Sequence, residues 1–232
     1  MAEDQRPKRL SRRGLLAGGA IGVAAVALST AKLAAHAAPL PAQSDVIFPH
    51  PDMCIGCGTC EVACSEWHAS QGLSAEPRIH IMRPPAGSVV PLAAVQPYAG
   101  GIGFQQLPCK QCPVPECWAV CPANAIRIDP KTGARYIDEA ACIACGKCAS
   151  ACPYPVQGMS EASLQPMDIK RVTYDASRNK FVKCDLCMGR PGGPACIAAC
   201  PVNMDVTAGR IKAPYGALEL RRSDTATYKK IL

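Results

Sequence analysis

Sixteen cysteines fall into four groups of four with none left over: Cys54, Cys57, Cys60 and Cys64; Cys109, Cys112, Cys117 and Cys121; Cys142, Cys145, Cys148 and Cys152; Cys184, Cys187, Cys196 and Cys200. Every group opens C-x2-C and closes C-x3-C. Three thiolates on one tight loop reach three irons of a single cubane, and small residues let the backbone turn its N–H groups toward the inorganic sulfides. Gly56, Gly58 and Gly146 sit inside such loops. The last cysteine lies one helical turn further on, so it points away from its own loop toward a neighbouring cluster. In three groups a proline follows it, at Pro122, Pro153 and Pro201, and its fixed φ and missing N–H suit a ligand that redirects the chain. Four quartets predict four 4Fe-4S clusters.

Two other uses of cysteine compete with this reading. Eight disulfides would account for an even count, yet a disulfide framework has no reason to repeat the same spacing four times. Zinc is the closer rival, because paired C-x2-C motifs build four-thiolate sites. In the first and third groups, which read C-x2-C-x2-C-x3-C, the third cysteine follows the second so closely that it crowds a mononuclear tetrahedral ion and suits a cubane. Composition agrees with an interior built around cofactors. Aromatic residues are only 5% of the chain, while 19 glycines and 22 prolines favour loops over one large apolar core.

The chain starts with what looks like an address. Arg6, Lys8, Arg9, Arg12 and Arg13 precede Gly14 to Ala31, a stretch with no charged residue. Ser11-Arg12-Arg13-Gly14-Leu15-Leu16 resembles the twin-arginine export signal, and Ala35-His36-Ala37 offers small residues for cleavage before Ala38. Many glycines and alanines make this stretch a weak membrane anchor. Residues 1–37 are therefore expected to be a twin-arginine signal peptide and the mature protein periplasmic. That route carries proteins already folded around their cofactors.

The formal charge of +7 misleads about partners. The signal holds six cations against two anions, and each oxidised cluster with its four thiolates adds about −2. The loaded mature protein is thus acidic, and nucleic acid is not expected as a partner. No later stretch is long and apolar enough to span a bilayer, so attachment to a membrane is expected through another subunit.

Along the chain, a short helix is expected over Glu61 to His68, and the alternation of Arg78-Ile79-His80-Ile81-Met82 predicts a strand. Pro84 to Pro108 reads as a long irregular insertion. Ala125 to Ile128 and Ala134 to Ile137 flank Asp129-Pro130-Lys131-Thr132-Gly133, a hairpin by its turn residues. Quartet, hairpin, quartet is the layout of a bacterial two-cluster ferredoxin. The expected fold is α+β and loop-rich, with two such ferredoxin-like units, one inserted in the other. Residues 38–104 and 157–215 would form the outer unit, 105–156 the inserted one, and 216–232 a C-terminal tail.

These stretches resemble the four-cluster electron-transfer (beta) subunits of molybdopterin oxidoreductase complexes, the family of dimethyl sulfoxide, polysulfide and tetrathionate reductases and formate dehydrogenases. The likeness rests on Cys109-Lys110-Gln111-Cys112 through Cys121-Pro122, Cys148 through Cys152-Pro153-Tyr154, Lys183-Cys184-Asp185-Leu186-Cys187, and Pro194-Ala195-Cys196 through Cys200-Pro201. The resemblance implies four ligand sets. Cys54, Cys57 and Cys60 would share a cluster with Cys200, and Cys184, Cys187 and Cys196 one with Cys64. Cys109, Cys112 and Cys117 would take Cys152, while Cys142, Cys145 and Cys148 take Cys121. Some relatives lack one cysteine of the second quartet and hold a three-iron cluster there, whereas this chain keeps Cys117. Residues 155–157 and 202–204 depart from the usual family wording, which touches partner contacts rather than ligands.

The resemblance also implies a function: relay of single electrons between a molybdopterin-type catalytic subunit and a membrane quinone-reactive subunit. Relatives serving nickel-iron hydrogenases or aldehyde oxidoreductases share these motifs, and a zinc-stabilised interaction scaffold is the alternative of another class. No Ser-His-Asp set, phosphate loop or paired carboxylates stand out, so the chain is expected to be a non-catalytic subunit. His36, His50, His68 and His80 lie outside metal spacing and are expected to be surface or packing residues, as are Trp67 and Trp118. Lys110, Lys147 and Lys183 adjoin ligands of three loops, and a nearby cation favours the more negative reduced cluster. Lys147→Ala is accordingly expected to lower the potential at Cys142, Cys145 and Cys148.

Overall fold

The computed structural model describes residues 44–83, 104–154, 156–160, 166–169 and 171–222. The segment expected to be an export signal, with its expected cleavage site, lies outside the described residues, as does most of the expected insertion.

Strand β1 (Asp45–Pro49) pairs antiparallel with β10 (Leu218–Arg222), Ile47 lying opposite Leu220. Thus a segment expected as tail forms a strand, paired with the one that precedes the first quartet. Helix α1 (Thr59–Ser70) starts after Gly58, whose φ of 71° is the left-handed conformation that glycine takes at little cost. Glu61 in its first turn and His68 in its last complement the helix dipole. Its buried face is Cys60, Cys64 and His68, a spacing of four that stacks all three along one side.

Strand β2 (Ile81–Arg83) begins later than the alternation predicts, and Arg78 and Ile79 before it are both buried. Four strands form one sheet in the order β3 (Gln105–Gln106), β2, β6 (Val156–Ser160), β7 (Pro166–Ile169). Strands β4 (Ile126–Ile128) and β5 (Arg135–Ile137) make the expected hairpin, with Ile126 opposite Ile137. Its turn is closed by Asp129, whose carboxylate accepts the Thr132 amide at 2.7 Å and hydroxyl at 2.6 Å. A second hairpin, β8 (Val172–Asp175) with β9 (Lys180–Lys183), leads into the last quartet.

Four short helices complete the fold of the described residues: α2 (Glu116–Ala119), α3 (Lys147–Ser150), α4 (Ala195–Ala198) and α5 (Pro201–Thr207). Proline opens α5, the helix position that needs no N–H. Helix α1 packs on α4 and α2 packs on α3. Cysteines are part of the core itself. Cys54, Cys60, Cys64, Cys109, Cys184 and Cys196 share one buried cluster with Ile47, Ile79, Ile81, Phe104 and Leu218. Mixed helix and strand of this kind make an α+β architecture.

Candidate metal centres

In every C-x2-C loop the residue before the second cysteine has left-handed backbone: Gly56 at φ 71°, Gln111 at 49°, Ala144 at 57° and Leu186 at 61°. Only one is glycine, so three loops accept a conformation that costs other residues of order 1–2 kcal/mol. The gain is a nest of N–H groups facing the thiols. The Gln111 amide donates to Cys109 Sγ at 3.5 Å, and the Gly56 and Leu186 amides do the same for Cys54 and Cys184. At Gly56 the fit is tight as well, since a Cβ there would lie 2.5 Å from the Phe104 ring.

The loops bring the sixteen cysteines into four places. One cavity is lined by Cys54, Cys57, Cys60 and Cys200. A second is lined by Cys109, Cys112, Cys117 and Cys152. A third is lined by Cys121, Cys142, Cys145 and Cys148. In the fourth place Cys64, Cys184, Cys187 and Cys196 are all buried, and the sulfur of Cys196 interacts electrostatically with those of the other three. Each place therefore holds three cysteines of one quartet and the last cysteine of another. These are called below the Cys57, Cys112, Cys145 and Cys187 sites.

The crossing follows from the helices. Cys60 and Cys64 sit one turn apart on α1, and Cys196 on α4 is one turn from Cys200, so the α1–α4 pair serves the Cys57 and Cys187 sites together. Cys117 on α2 and Cys148 on α3, with Cys121 and Cys152 just past those helices, do the same for the Cys112 and Cys145 sites. Cys184 and Cys109 interact across the two pairs. The sites thus follow one another as Cys57, Cys187, Cys112, Cys145, and only Cys57 and Cys145 are exposed cysteines.

Burial pushes the Cys54 thiol up to about 11, with Cys200 and Cys57 adding to it. Burial likewise takes Cys148 to about 11 and Cys117 and Cys187 to about 12. Such thiols give up their protons only to a cation that replaces them, which is the chemistry of a thiolate metal site. The environment fits an anionic cluster in a second way. Arg171 Nε, buried against the Cys112 cavity, has no hydrogen-bond partner among the described residues.

Several site residues carry no signal in the cysteine spacing. Around the Cys187 site, Arg78 bonds Asp185 at 2.8 Å and Glu139 at 2.7 Å, all three buried. His68 donates from Nε2 to Asp185 Oδ1 at 3.0 Å and from Nδ1 to the Cys64 carbonyl at 2.6 Å. Burial lowers the affinity of His68 for a proton, but Asp185 and Cys64 outweigh it and raise its pKa to about 9. His68 is thus a buried partner of a ligand-bearing turn rather than a surface residue. His68, Asp185 and Cys187 have ligand atoms close enough to hold an ion, yet Asp185 is already engaged by His68, Arg78 and the Cys187 amide at 2.9 Å. The Arg78 amide also donates to Cys64 Sγ at 3.3 Å.

The three lysines separate. Lys183 is buried, with its ammonium on the carbonyls of Arg135 and Cys184. Burial pulls its pKa down, and the sulfurs of Cys109, Cys117 and Cys184 more than offset that. Lys110 is buried and depressed to about 8 by burial and by Arg171. Lys147 is exposed, so the cation expected to act at its loop stands in water. His50 is also buried, stacked on Tyr215 and 3.1 Å from Glu219. Trp67 carries Arg190 over its ring, the contact of a packing residue.

Comparison with known proteins agrees with this chemistry. The family described as "4Fe-4S dicluster domain" matches residues 108–156, and "4Fe-4S binding domain" matches 47–65. The chain is similar to the electron transport protein HydN of Escherichia coli, 35% identical over 76% of this chain and 94% of HydN. It is also similar to formate hydrogenlyase subunit 2 of the same organism, 34% identical over 64% of this chain and 74% of that one. The polyferredoxin-like subunit of an aliphatic sulfonate oxidoreductase of Pyrococcus furiosus is 33% identical over 65% and 68%. Multiple 4Fe-4S clusters are therefore the cofactors of this chain.

Proposed function

The chain belongs to the 4Fe-4S electron-transport family that includes HydN, and on that premise we propose that it relays single electrons through four clusters for a multi-subunit oxidoreductase. When bound, the clusters supply one-electron redox chemistry without proton or group transfer. The residues supply everything else. Cys54, Cys57, Cys60 and Cys200 are the ligands at one end, followed by Cys64, Cys184, Cys187 and Cys196. Then come Cys109, Cys112, Cys117 and Cys152, with Cys121, Cys142, Cys145 and Cys148 at the other end. Two ferredoxin-like units, the one of residues 105–156 nested in the other, are the proposed domain plan.

The observation that supports a relay is the order of the sites, with an exposed cysteine at each end and none between. A storage or scaffold protein has no use for two solvent-facing ends. Exposed apolar side chains accompany them, Ile55 and Val62 near Cys57 and Ile143 near Cys145. Each end would meet a separate partner: a catalytic subunit and an integral membrane quinone-interacting subunit. Among the described residues no helix is long and apolar enough to cross a membrane, in keeping with attachment through a partner. Export by the twin-arginine route to the periplasm completes the proposal.

For the catalytic partner, a molybdopterin enzyme follows from the motif resemblance. A nickel-iron hydrogenase is the second reading, favoured by the names of two relatives, formate hydrogenlyase subunit 2 and hydrogenase-4 component A. Affinity purification from anaerobic membranes followed by metal analysis separates them. Molybdenum or tungsten in the co-purified complex supports the first and nickel the second. A holo protein that accepts electrons from neither subunit ends the relay proposal.

A further inference from the structure

Two of the three cavities are lined by no charged side chain among the described residues. The Cys57 cavity has Ile55, Ile81, Val202 and Leu218, and the Cys145 cavity has Ile126, Ile137 and Phe181. The Cys112 cavity differs in kind. Lys110, Arg135, Arg171 and Lys183 line it against a single carboxylate, Glu116. Lys110, Arg135 and Lys183 are buried, Arg171 is half-buried and Glu116 is exposed, so water screens the anion far more than the cations. At the buried Cys187 site, by contrast, the cation Arg78 is matched by Asp185 and Glu139.

Adding one electron to a cluster bound by four thiolates makes a dianionic group trianionic. No bond forms or breaks, and the neighbouring site that gives up the electron becomes less negative by the same unit. Fixed positive charge therefore favours the reduced state at the site it faces. Buried charge acts over short distances in low dielectric with little screening.

Resting on the four-cluster relay proposed above, we infer that the Cys112 site has the most positive reduction potential of the four, held there by Lys110, Arg135, Arg171 and Lys183. An electron entering at either exposed end moves inward to this site and dwells there before leaving. Arg171 and Lys183 are positioning residues in this sense, acting on the cluster's charge and not on a substrate. Lys183 also touches Cys184 through its carbonyl, so it acts on the Cys187 site as well, whereas the thiols with which Arg171 interacts most strongly are Cys109, Cys152 and Cys112 of the Cys112 site.

The test is an anaerobic, EPR-monitored redox titration of the full-length holo protein. In wild type, one component should titrate at a more positive potential than the rest, and Cys117→Ser should abolish or alter that component. Arg171→Gln should make its reduction about tenfold less favourable, a shift of ~59 mV to lower potential, and leave the others in place. Arg171→Lys, keeping the charge, should restore most of it. Lys183→Met should lower this component and a second one. Arg171→Gln tests the same claim on a half-buried side chain should Lys183→Met fail to fold. The inference is overturned if the most positive component persists unchanged in Cys117→Ser, or if Arg171→Gln leaves it unmoved. In both cases an iron count of four clusters leaves the relay standing. A wild-type protein without four clusters removes the relay, and this inference with it.

Discussion

The outer sites and the inner sites are made from the same four thiols and the same left-handed turn, yet their surroundings are opposites. At the Cys57 and Cys145 sites one cysteine is exposed and the cavity walls are apolar. At the Cys187 and Cys112 sites no cysteine is exposed, and buried charges stand around the ligands. A cluster at the end of a relay needs a face for its partner. A cluster inside has no exposed ligand, so the polar response to an arriving charge comes largely from the buried charges around it. The cysteine pattern builds the site, and the residues between the quartets decide what it is for.

The sharpest way to break this contrast is to remove one buried charge from the inner pair. Arg78→Ala removes the buried guanidinium that Asp185 and Glu139 share, leaving Asp185 with His68 and Glu139 with Arg178 at 3.6 Å, at a cost of about 3 kcal/mol. The expected outcome is a large fall in the temperature at which the cluster absorbance is lost. Val62→Ala, at an exposed side chain beside the Cys57 site, should stay within about 0.5 kcal/mol of wild type. Equal effects of the two substitutions would erase the distinction between inside and outside.

Metal removal tests the contrast next. Slow oxidation with a chelator present should release iron in two phases, the first from the sites with exposed Cys57 and Cys145. About half the iron belongs to each phase, since a relay of four cubanes divides evenly. Release in one phase would mean that burial does not protect the inner sites. The smallest effect is expected at Lys147. Because its ammonium is in solvent, Lys147→Ala should leave every potential unchanged within the error of a redox titration. A shift as large as that of Lys183→Met would show that burial does not govern which lysines matter.

The cysteine spacing made the metal chemistry legible, because a cubane demands its ligands at fixed intervals along the chain. The β4–β5 hairpin was equally legible, since Asp129 and Gly133 are turn residues with a mechanism. Other features left no such trace. The left-handed turns at Gln111, Ala144 and Leu186 fall on residues that do not advertise that conformation, whereas Gly56 does. Arg78 lay in an alternating run and read as the polar face of a strand, but two carboxylates from distant segments draw it inward. Arg135 and Arg171 were invisible for the same reason: only the folded chain brings them to Cys109 and Cys152. Adjacency in sequence does not show burial either: Lys147 neighbours Cys148 and is exposed, whereas Lys110 and Lys183 are buried.

Cluster stoichiometry tests the relay most directly. Anaerobically isolated full-length protein should contain about 16 irons and about 16 acid-labile sulfides per chain, the content of four cubanes. Spin integration after full reduction should account for four paramagnetic centres. About four zinc ions per chain with negligible sulfide would contradict the relay outright.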